Sequence, residues 1–224
     1  MTNPAIRQSP IYDALEARGA EWRQVGGVPL AVRLRDEPAE RAAAQSLVIC
    51  DLSGLQKFGV KGKGAENWLS SEGVEVPAAL FESCPLSGGG VTVRFGTDEF
   101  FLEDGVGNRS VAALAERLDS HSRQVFRVEH QEATLLLVGP RALEVLAQTC
   151  GINFRETPPR QAVFTRVAGV SCAVLPEFVG DIPAYRVWVD PSFALYLWNA
   201  LVEICENLNG SVVGVGYLFP ESRT

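Results

Sequence analysis

One phrase constrains this fold more than any other: Ala133-Thr134-Leu135-Leu136-Leu137-Val138-Gly139-Pro140-Arg141-Ala142-Leu143-Glu144-Val145-Leu146. The apolar run over 135–138 is shorter than a helix needs and stops at a glycine, so it reads as a buried strand. Pro140 suits the first turn of a helix, where its missing N–H would have no partner anyway. Ala142, Val145 and Leu146 then recur at helical spacing. The phrase predicts a strand, a tight turn and a helix. It also occurs earlier. Residues 55–61 are strand-like and run into Gly62-Lys63-Gly64-Ala65-Glu66-Asn67-Trp68-Leu69; with Gly62 set on Gly139, Ala65 falls on Ala142 and Leu69 on Leu146. A repeated unit points to two similar halves of one architecture, although short phrases of this kind also recur by chance.

Composition narrows the class. A chain of 224 residues, 46% apolar and 21% charged, has room for one or two domains and a sizeable core. Its net charge of −7 lacks the basic balance that a nucleic-acid face requires, so no nucleic-acid partner is expected. Cys50, Cys84, Cys150, Cys172 and Cys205 form an odd set without a C-x-x-C pair, which reads as reduced core cysteines in a cytoplasmic protein. No basic start leads into an apolar run, and no apolar run approaches the roughly 18 residues of a membrane span, so neither a signal peptide nor a membrane segment is expected.

Taken in order, residues 1–9 read as a polar, mobile start. Ser9-Pro10 opens a helix over 10–18, ended by Gly19. Strands are predicted over 22–25 and 30–34 around Gly26-Gly27, and an Ala-rich helix over 37–44 behind Pro38. A strand over 47–50 runs into the polar turn Asp51-Leu52-Ser53-Gly54. After the first core phrase come a loop or short helix over 70–80 and a Gly88-Gly89-Gly90 turn. A hairpin follows over 91–95 and 100–103, then an amphipathic helix over 110–118 and a strand over 124–128. After the second phrase, 162–167 and 171–175 make a hairpin, 178–184 a loop and 185–189 a strand. Asp190-Pro191 starts the strongest helix, with Phe193, Leu197, Leu201 and Ile204 on one face and Gly210 as its stop. A final strand is predicted over 211–216. Both halves then read strand, helix, hairpin, helix, strand, the order of a ferredoxin-like unit. The fold class expected is α+β, two such units in a duplicated arrangement. The domains expected are an N-terminal segment over 1–44 packed on the body, halves over 45–130 and 131–217, and a tail over 218–224.

Self-sufficient chemistry is sparse. His121 and His130 have no second ligand at metal spacing, so no metal is expected. No serine sits in a G-x-S-x-G elbow. Gly88-Gly89-Gly90 could cradle a phosphate, but a plain turn is favoured; Gly62-Lys63-Gly64 could meet an anion, but its partner turn is Gly139-Pro140-Arg141, with one donor fewer. Gly214-Val215-Gly216 is not followed by a helix and is no dinucleotide fingerprint. Cys50, Asp51 and Ser53 could form a small polar site, yet an acid at a strand end is more often a turn residue. Trp188, Phe193, Tyr196 and Trp198 read as core, with an interface patch as the lesser reading.

The order of these phrases resembles the gamma subunit of heterotetrameric sarcosine oxidase. The resemblance is carried by Val138-Gly139-Pro140-Arg141-Ala142-Leu143-Glu144-Val145-Leu146, by Cys150-Gly151-Ile152-Asn153-Phe154, by Ser192-Phe193-Ala194-Leu195-Tyr196-Leu197-Trp198, and by Gly96-Thr97-Asp98-Glu99-Phe100, which looks like a G-x-D-E-W hairpin. That family is similar to the folate-binding part of aminomethyltransferases, the T-protein of the glycine cleavage system. Ser9-Pro10-Ile11-Tyr12, Val25-Gly26-Gly27 and Asp51-Leu52-Ser53 resemble its T-P-L-Y, F-G-G and D-V-S stretches.

The resemblance implies a central channel that holds tetrahydrofolate in active members, with Asp51, Ser53, Tyr185 and Arg186 as candidate contacts by position. Yet the G-G-V-I-D-D motif lines up with Gly89-Gly90-Val91-Thr92-Val93-Arg94, which carries neither acid. The G-Y-E-I glutamate that binds the pterin lines up with Arg186, a donor-only group. G-L-G-A-R-D lines up with Gly214-Val215-Gly216-Tyr217-Leu218-Phe219, without its Arg and Asp. The expectation is a non-catalytic accessory subunit of a sarcosine or N-methyl-amine oxidase or dehydrogenase in one-carbon metabolism. It has no catalytic residue and no firmly bound cofactor, and larger flavoprotein subunits hold the flavin. The alternative is a degenerate tetrahydrofolate-binding aminomethyltransferase-like protein acting alone.

Overall fold

The computed structural model of the protein describes residues 8–25, 27–34, 38, 40, 46–118 and 124–219. Of the helix predicted over 37–44 only Pro38 and Glu40 are described; His121, residues 1–7 and most of the 218–224 tail lie outside the described residues.

In chain order the described elements are α1 (Tyr12–Ala17), β1 (Glu21–Val25), β2 (Val28–Arg33), β3 (Val48–Asp51), β4 (Lys57–Lys61), α2 (Ala65–Ser71), β5 (Ser83–Leu86), β6 (Gly90–Gly96), β7 (Glu99–Glu103), α3 (Ser110–Leu118), β8 (Phe126–Glu129), β9 (Ala133–Val138), α4 (Ala142–Thr149), β10 (Val163–Val167), β11 (Val170–Val179), β12 (Ile182–Val189), α5 (Ala194–Asn207), β13 (Ser211–Val212) and α6 (Val215–Leu218). They gather into a larger unit, residues 1–54, 132–159 and 163–224, and a smaller one, residues 55–131 and 160–162.

In the smaller unit the sheet order is β5-β6-β7-β4-β8, antiparallel throughout. Alternation along the strands turns Phe58, Val60, Phe100 and Leu102 to one face, where they pack with Ala65 and Leu69 of α2 and Val111, Leu114 and Leu118 of α3. Burying a side chain of this size stabilises by about 1.5–3 kcal/mol. In the larger unit the order is β10-β11-β12-β9-β3-β13, with only the β3–β13 pair parallel. Its core sets Leu135, Leu137, Tyr185 and Val187 from the strands against Val145 and Leu146 of α4 and Leu197, Trp198 and Leu201 of α5, with Ile11 and Leu15 of α1 joining them. β1 and β2 form a separate two-stranded hairpin.

Several expectations need correcting. The segment over 178–184 is not a loop: β11 and β12 stay paired to Val179↔Ile182 around a Gly180-Asp181 turn. Pro176 is tolerated in β11 because β10 pairs only as far as Val174, so no ladder donor is lost there. The strand over 211–216 stops at Val212 and the chain turns into α6. Gly214 marks the turn, since a Cβ there would lie 2.3 Å from the Val32 carbonyl carbon. Phe193 does not share the buried face of α5: it is exposed, while Ala194, Leu197, Trp198, Leu201, Val202 and Cys205 face inward. β5 was not expected, because Pro85 interrupts it; it forms as an edge strand against β6. β3, assigned by sequence to the first half, sits in the larger unit beside β9, where Val48, Ile49 and Cys50 pair with Val138, Leu137 and Leu136. The helix over 110–118 and the Asp190 cap stand as expected, with Asp190 Oδ1 accepting from the Ser192 N–H at 2.8 Å.

Candidate functional site

β12 carries two of the four predicted contacts, and its pleat separates them. Adjacent strand residues point to opposite faces. Tyr185 joins Val187 and Val189 in the core beneath the helices, with its ring edge-on to Phe154 at 5.9 Å between centroids. Arg186 points to the other face, in register with Leu136 on β9 and Leu175 on β11. There its Nε donates to Glu177 Oε1 at 2.8 Å and a terminal nitrogen to Glu177 Oε2 at 3.3 Å. Arg186 is buried and Glu177 nearly so, with side-chain exposures of 4% and 18%. A guanidinium in that setting is stable only because a carboxylate meets its planar fork. Glu177 was not singled out by sequence, since its place beside Arg186 depends on the register around the Gly180-Asp181 turn.

Asp51 and Ser53 belong to the end of β3, not to β12. Asp51 Oδ1 accepts from the Ser53 N–H at 2.9 Å, and Ser53 Oγ accepts from the Thr134 N–H at 3.1 Å. The Leu52 N–H donates to the Thr134 carbonyl at 2.8 Å. Both side chains are buried and tie the exit of β3 to β9, which supports the turn reading over the polar-site reading. The four predicted contacts therefore do not converge: Asp51 and Ser53 hold a turn, Tyr185 faces the helices, and Arg186 faces away from them.

Tyr185 does line a cavity of about 340 Å3, at the first turn of α4, with Leu143, Phe154, Phe178, Glu177 and Arg155 among its walls. Burial raises the Tyr185 pKa, so its hydroxyl stays a donor at neutral pH. Arg155 was missed by sequence because it stands in an irregular loop with no periodicity to mark it.

The glycine turns prove structural. The Gly62 and Gly139 N–H groups are already engaged, donating to the Asp98 and Pro183 carbonyls at 2.8 Å each. The Gly88-Gly89-Gly90 turn packs on backbone: a Cβ on Gly105 would lie 1.8 Å from the Gly88 carbonyl oxygen. Burial raises the Cys50 thiol well above its usual range and pushes Cys172 and Cys205 up to about 12, so these are inert core groups. All five cysteines are free. No cluster among the described residues could hold a metal ion, and no described helix is long and apolar enough to cross a membrane. His130 stands edge-on to Phe101 at 5.0 Å between centroids.

The smaller unit holds charge that sequence reading did not flag. Lys57 Nζ lies 3.2 Å from Glu103 Oε2, both side chains fully buried, and also donates to the Leu55 carbonyl at 3.0 Å. Beside it, Asp104 Oδ1 accepts from the Val111 N–H at 2.9 Å and so caps α3, while Oδ2 is buried without a partner. Burial, with Glu103 adding repulsion, pushes the Asp104 carboxyl up to about 6 against the pull of the Val111 N–H. Val93, one of the two positions that the resemblance sets against acids, is fully buried opposite Phe101; the other, Arg94, has its guanidinium 4.9 Å from the Phe100 ring and donates to the Ala78 carbonyl.

No family model matches the chain. The aminomethyltransferase of Saccharopolyspora erythraea is 23% identical over 217 residues, covering 91% of this chain and 59% of that protein. The aminomethyltransferase of Alkaliphilus metalliredigens is 21% identical over 230 residues, covering 94% and 61%. The chain thus spans about three fifths of the length of the curated relatives it matches. Among solved structures, aminomethyltransferase T of the glycine cleavage system from Bartonella henselae superimposes with a TM-score of 0.74 at 16% identity, covering 96% of this chain and 61% of that one. A chain of the heterotetrameric sarcosine oxidase from Corynebacterium sp. U-96, solved with pyrrole 2-carboxylate, gives 0.65 at 21% identity, covering 91% and 97%. At these identities the likeness shows the fold: α+β, of the aminomethyltransferase T-protein kind.

Proposed function

We propose that this chain is a non-catalytic accessory subunit of a heteromeric flavin-dependent oxidase or dehydrogenase acting on sarcosine or another N-methylated amine. The observation that carries the reading is the buried Arg186–Glu177 pair. It stands where the resemblance calls for a carboxylate to accept from a pterin. A guanidinium has no lone pair to offer, and the charge of its partner carboxylate is already met by it. The residues present therefore do not fit a folate head group at that position. Val93 and Arg94, at the positions of the missing acids, supply no anionic group to handle a proton or stabilise an iminium. The match to the sarcosine oxidase chain, at a TM-score of 0.65 over 91% of this chain, supports the reading. In this reading larger cytoplasmic partner subunits hold the flavin, and this chain contributes assembly.

The test is purification of the full chain from the organism that encodes it. Larger flavin-carrying subunits that oxidise an N-methylated amine are expected to copurify in fixed ratio. A chain that purifies without any flavoprotein contradicts the proposal. A second reading, a degenerate tetrahydrofolate-binding protein acting alone, is favoured by the higher TM-score of the aminomethyltransferase match. The same purification, run beside a folate titration, separates the two.

A further inference from the structure

The 340 Å3 cavity at the start of α4 has walls that are mostly apolar and a polar set that is unbalanced. Two carboxylates stand near it, and both are already matched. Glu177 takes two donors of Arg186 at 2.8 and 3.3 Å. Glu144 takes two donors of Arg141, each at 2.8 Å. That leaves Arg155 on the cavity wall, where its guanidinium makes no hydrogen bond or ion pair among the described residues. The Tyr185 hydroxyl is in the same position: the contact it makes is through its ring, edge-on to Phe154. The cavity thus presents a guanidinium and a phenol hydroxyl, neither in a side-chain hydrogen bond among the described residues, with the Arg155 charge also acting on Glu144. The remaining wall is Leu143, Phe154, Phe178 and four prolines. The volume falls in the range of small-molecule sites, roughly 300–1,000 Å3.

We infer that this cavity binds a small carboxylic acid with an apolar or aromatic body, its carboxylate on Arg155 and the Tyr185 hydroxyl and its body against Phe154 and Phe178. The chemistry follows from what the site lacks. Tyr185 is buried and Arg155 stands exposed at the cavity wall, where a bidentate carboxylate matches its guanidinium fork. A neutral ligand would leave Arg155 unmatched, and an amine would meet it with like charge. The site takes Glu177 as part of its wall, but Arg155 and the Tyr185 hydroxyl do not depend on the proposed partners.

The probe is phenylacetate, titrated into the isotopically labelled full chain and followed by backbone amide shifts. Saturable shifts are expected at Gly139, Leu143, Phe154, Arg155 and Phe178. The neutral analogue 2-phenylethanol is expected to bind about tenfold more weakly, the loss of one charge-assisted contact. Arg155→Met, at an exposed position that leaves the fold intact, is expected to weaken phenylacetate about tenfold and 2-phenylethanol not at all. Tyr185→Phe is expected to weaken phenylacetate severalfold. The inference is overturned by equal affinity for the acid and the alcohol, or by an unchanged affinity in Arg155→Met. Shifts that map elsewhere, or no saturable shift up to about 10 mM, overturn it as well.

Discussion

Gly62 follows β4 in the smaller unit and Gly139 follows β9 in the larger one, at φ of +120° and +124°. A Cβ on either would lie 2.3 or 2.1 Å from a carbonyl oxygen, of Gln124 or of Ser46, at the entry to the neighbouring strand. Each glycine carbonyl then accepts from the N–H three residues on, Ala65 at 2.8 Å and Ala142 at 3.0 Å, which starts the helix. Five residues before the glycine the two units part. β4 has Lys57 there, paired with Glu103 on β7 and fully buried. β9 has Thr134, paired with Trp188 on β12, its N–H held by Ser53. One backbone device thus supports two different strand neighbours, a buried ion pair before Gly62 and a hydrogen-bonded threonine before Gly139. Backbone geometry at the turn is dictated by sterics that admit only glycine, whereas the side chain on the adjacent strand answers only to whatever faces it.

The comparison can be broken at its charged end first. Lys57→Met should strand Glu103 without its cation and destabilise the smaller unit by about 3–5 kcal/mol in urea unfolding. Lys57→Met with Glu103→Leu should recover most of that loss, because an apolar pair needs no desolvation. If the double variant is as unstable as the single, the buried pair is not the origin of the cost. The turns come next. Gly62→Ala and Gly139→Ala should each cost roughly 2–4 kcal/mol, through left-handed strain plus the backbone clash. Gly73→Ala, at φ +78° with open space around it, should cost roughly 1 kcal/mol. Equal losses at all three would remove the role given to the close approach.

A pH dependence separates the units further. Asp104 has its carboxyl raised to about 6 in the fold, above its ordinary unfolded value near 4. The native state then holds the proton more tightly, so this group's stabilising contribution is present below pH 4 and lost as pH rises through 6. Asp104→Asn keeps an acceptor for the Val111 N–H and removes the ionisation. It should flatten stability across that window and raise it by about 2 kcal/mol at pH 7, read as urea midpoints at several pH values. An unchanged slope would place the titration elsewhere.

Much of the local structure was legible because local rules decide it. The repeated glycine phrase, the helix over Ser110–Leu118 and the Asp190 cap each depend on residues within a few positions. What escaped depends on distant partners. The place of β3 beside β9 is settled by apolar rows that meet only in the fold. The strand character of 178–184 was hidden by Pro176 and Pro183, which are harmless where they stand because β10 has ended beside Pro176 and β9 beside Pro183. At the site, alternation alone could have shown that Tyr185 and Arg186 serve opposite faces. Glu177 and Arg155 could not be found that way, since a hairpin register and a loop bring them in. Lys57 and Glu103 sit far apart in sequence and carry no motif, so only the β4–β7 pairing reveals them.

The account turns on a T-protein-like frame in which the position proposed to face folate carries a guanidinium paired with Glu177. Calorimetric titration of the purified chain with tetrahydrofolate tests this most directly. No saturable binding is expected up to roughly 1 mM, which is weaker than about −4 kcal/mol. One-site binding in the micromolar range would contradict it.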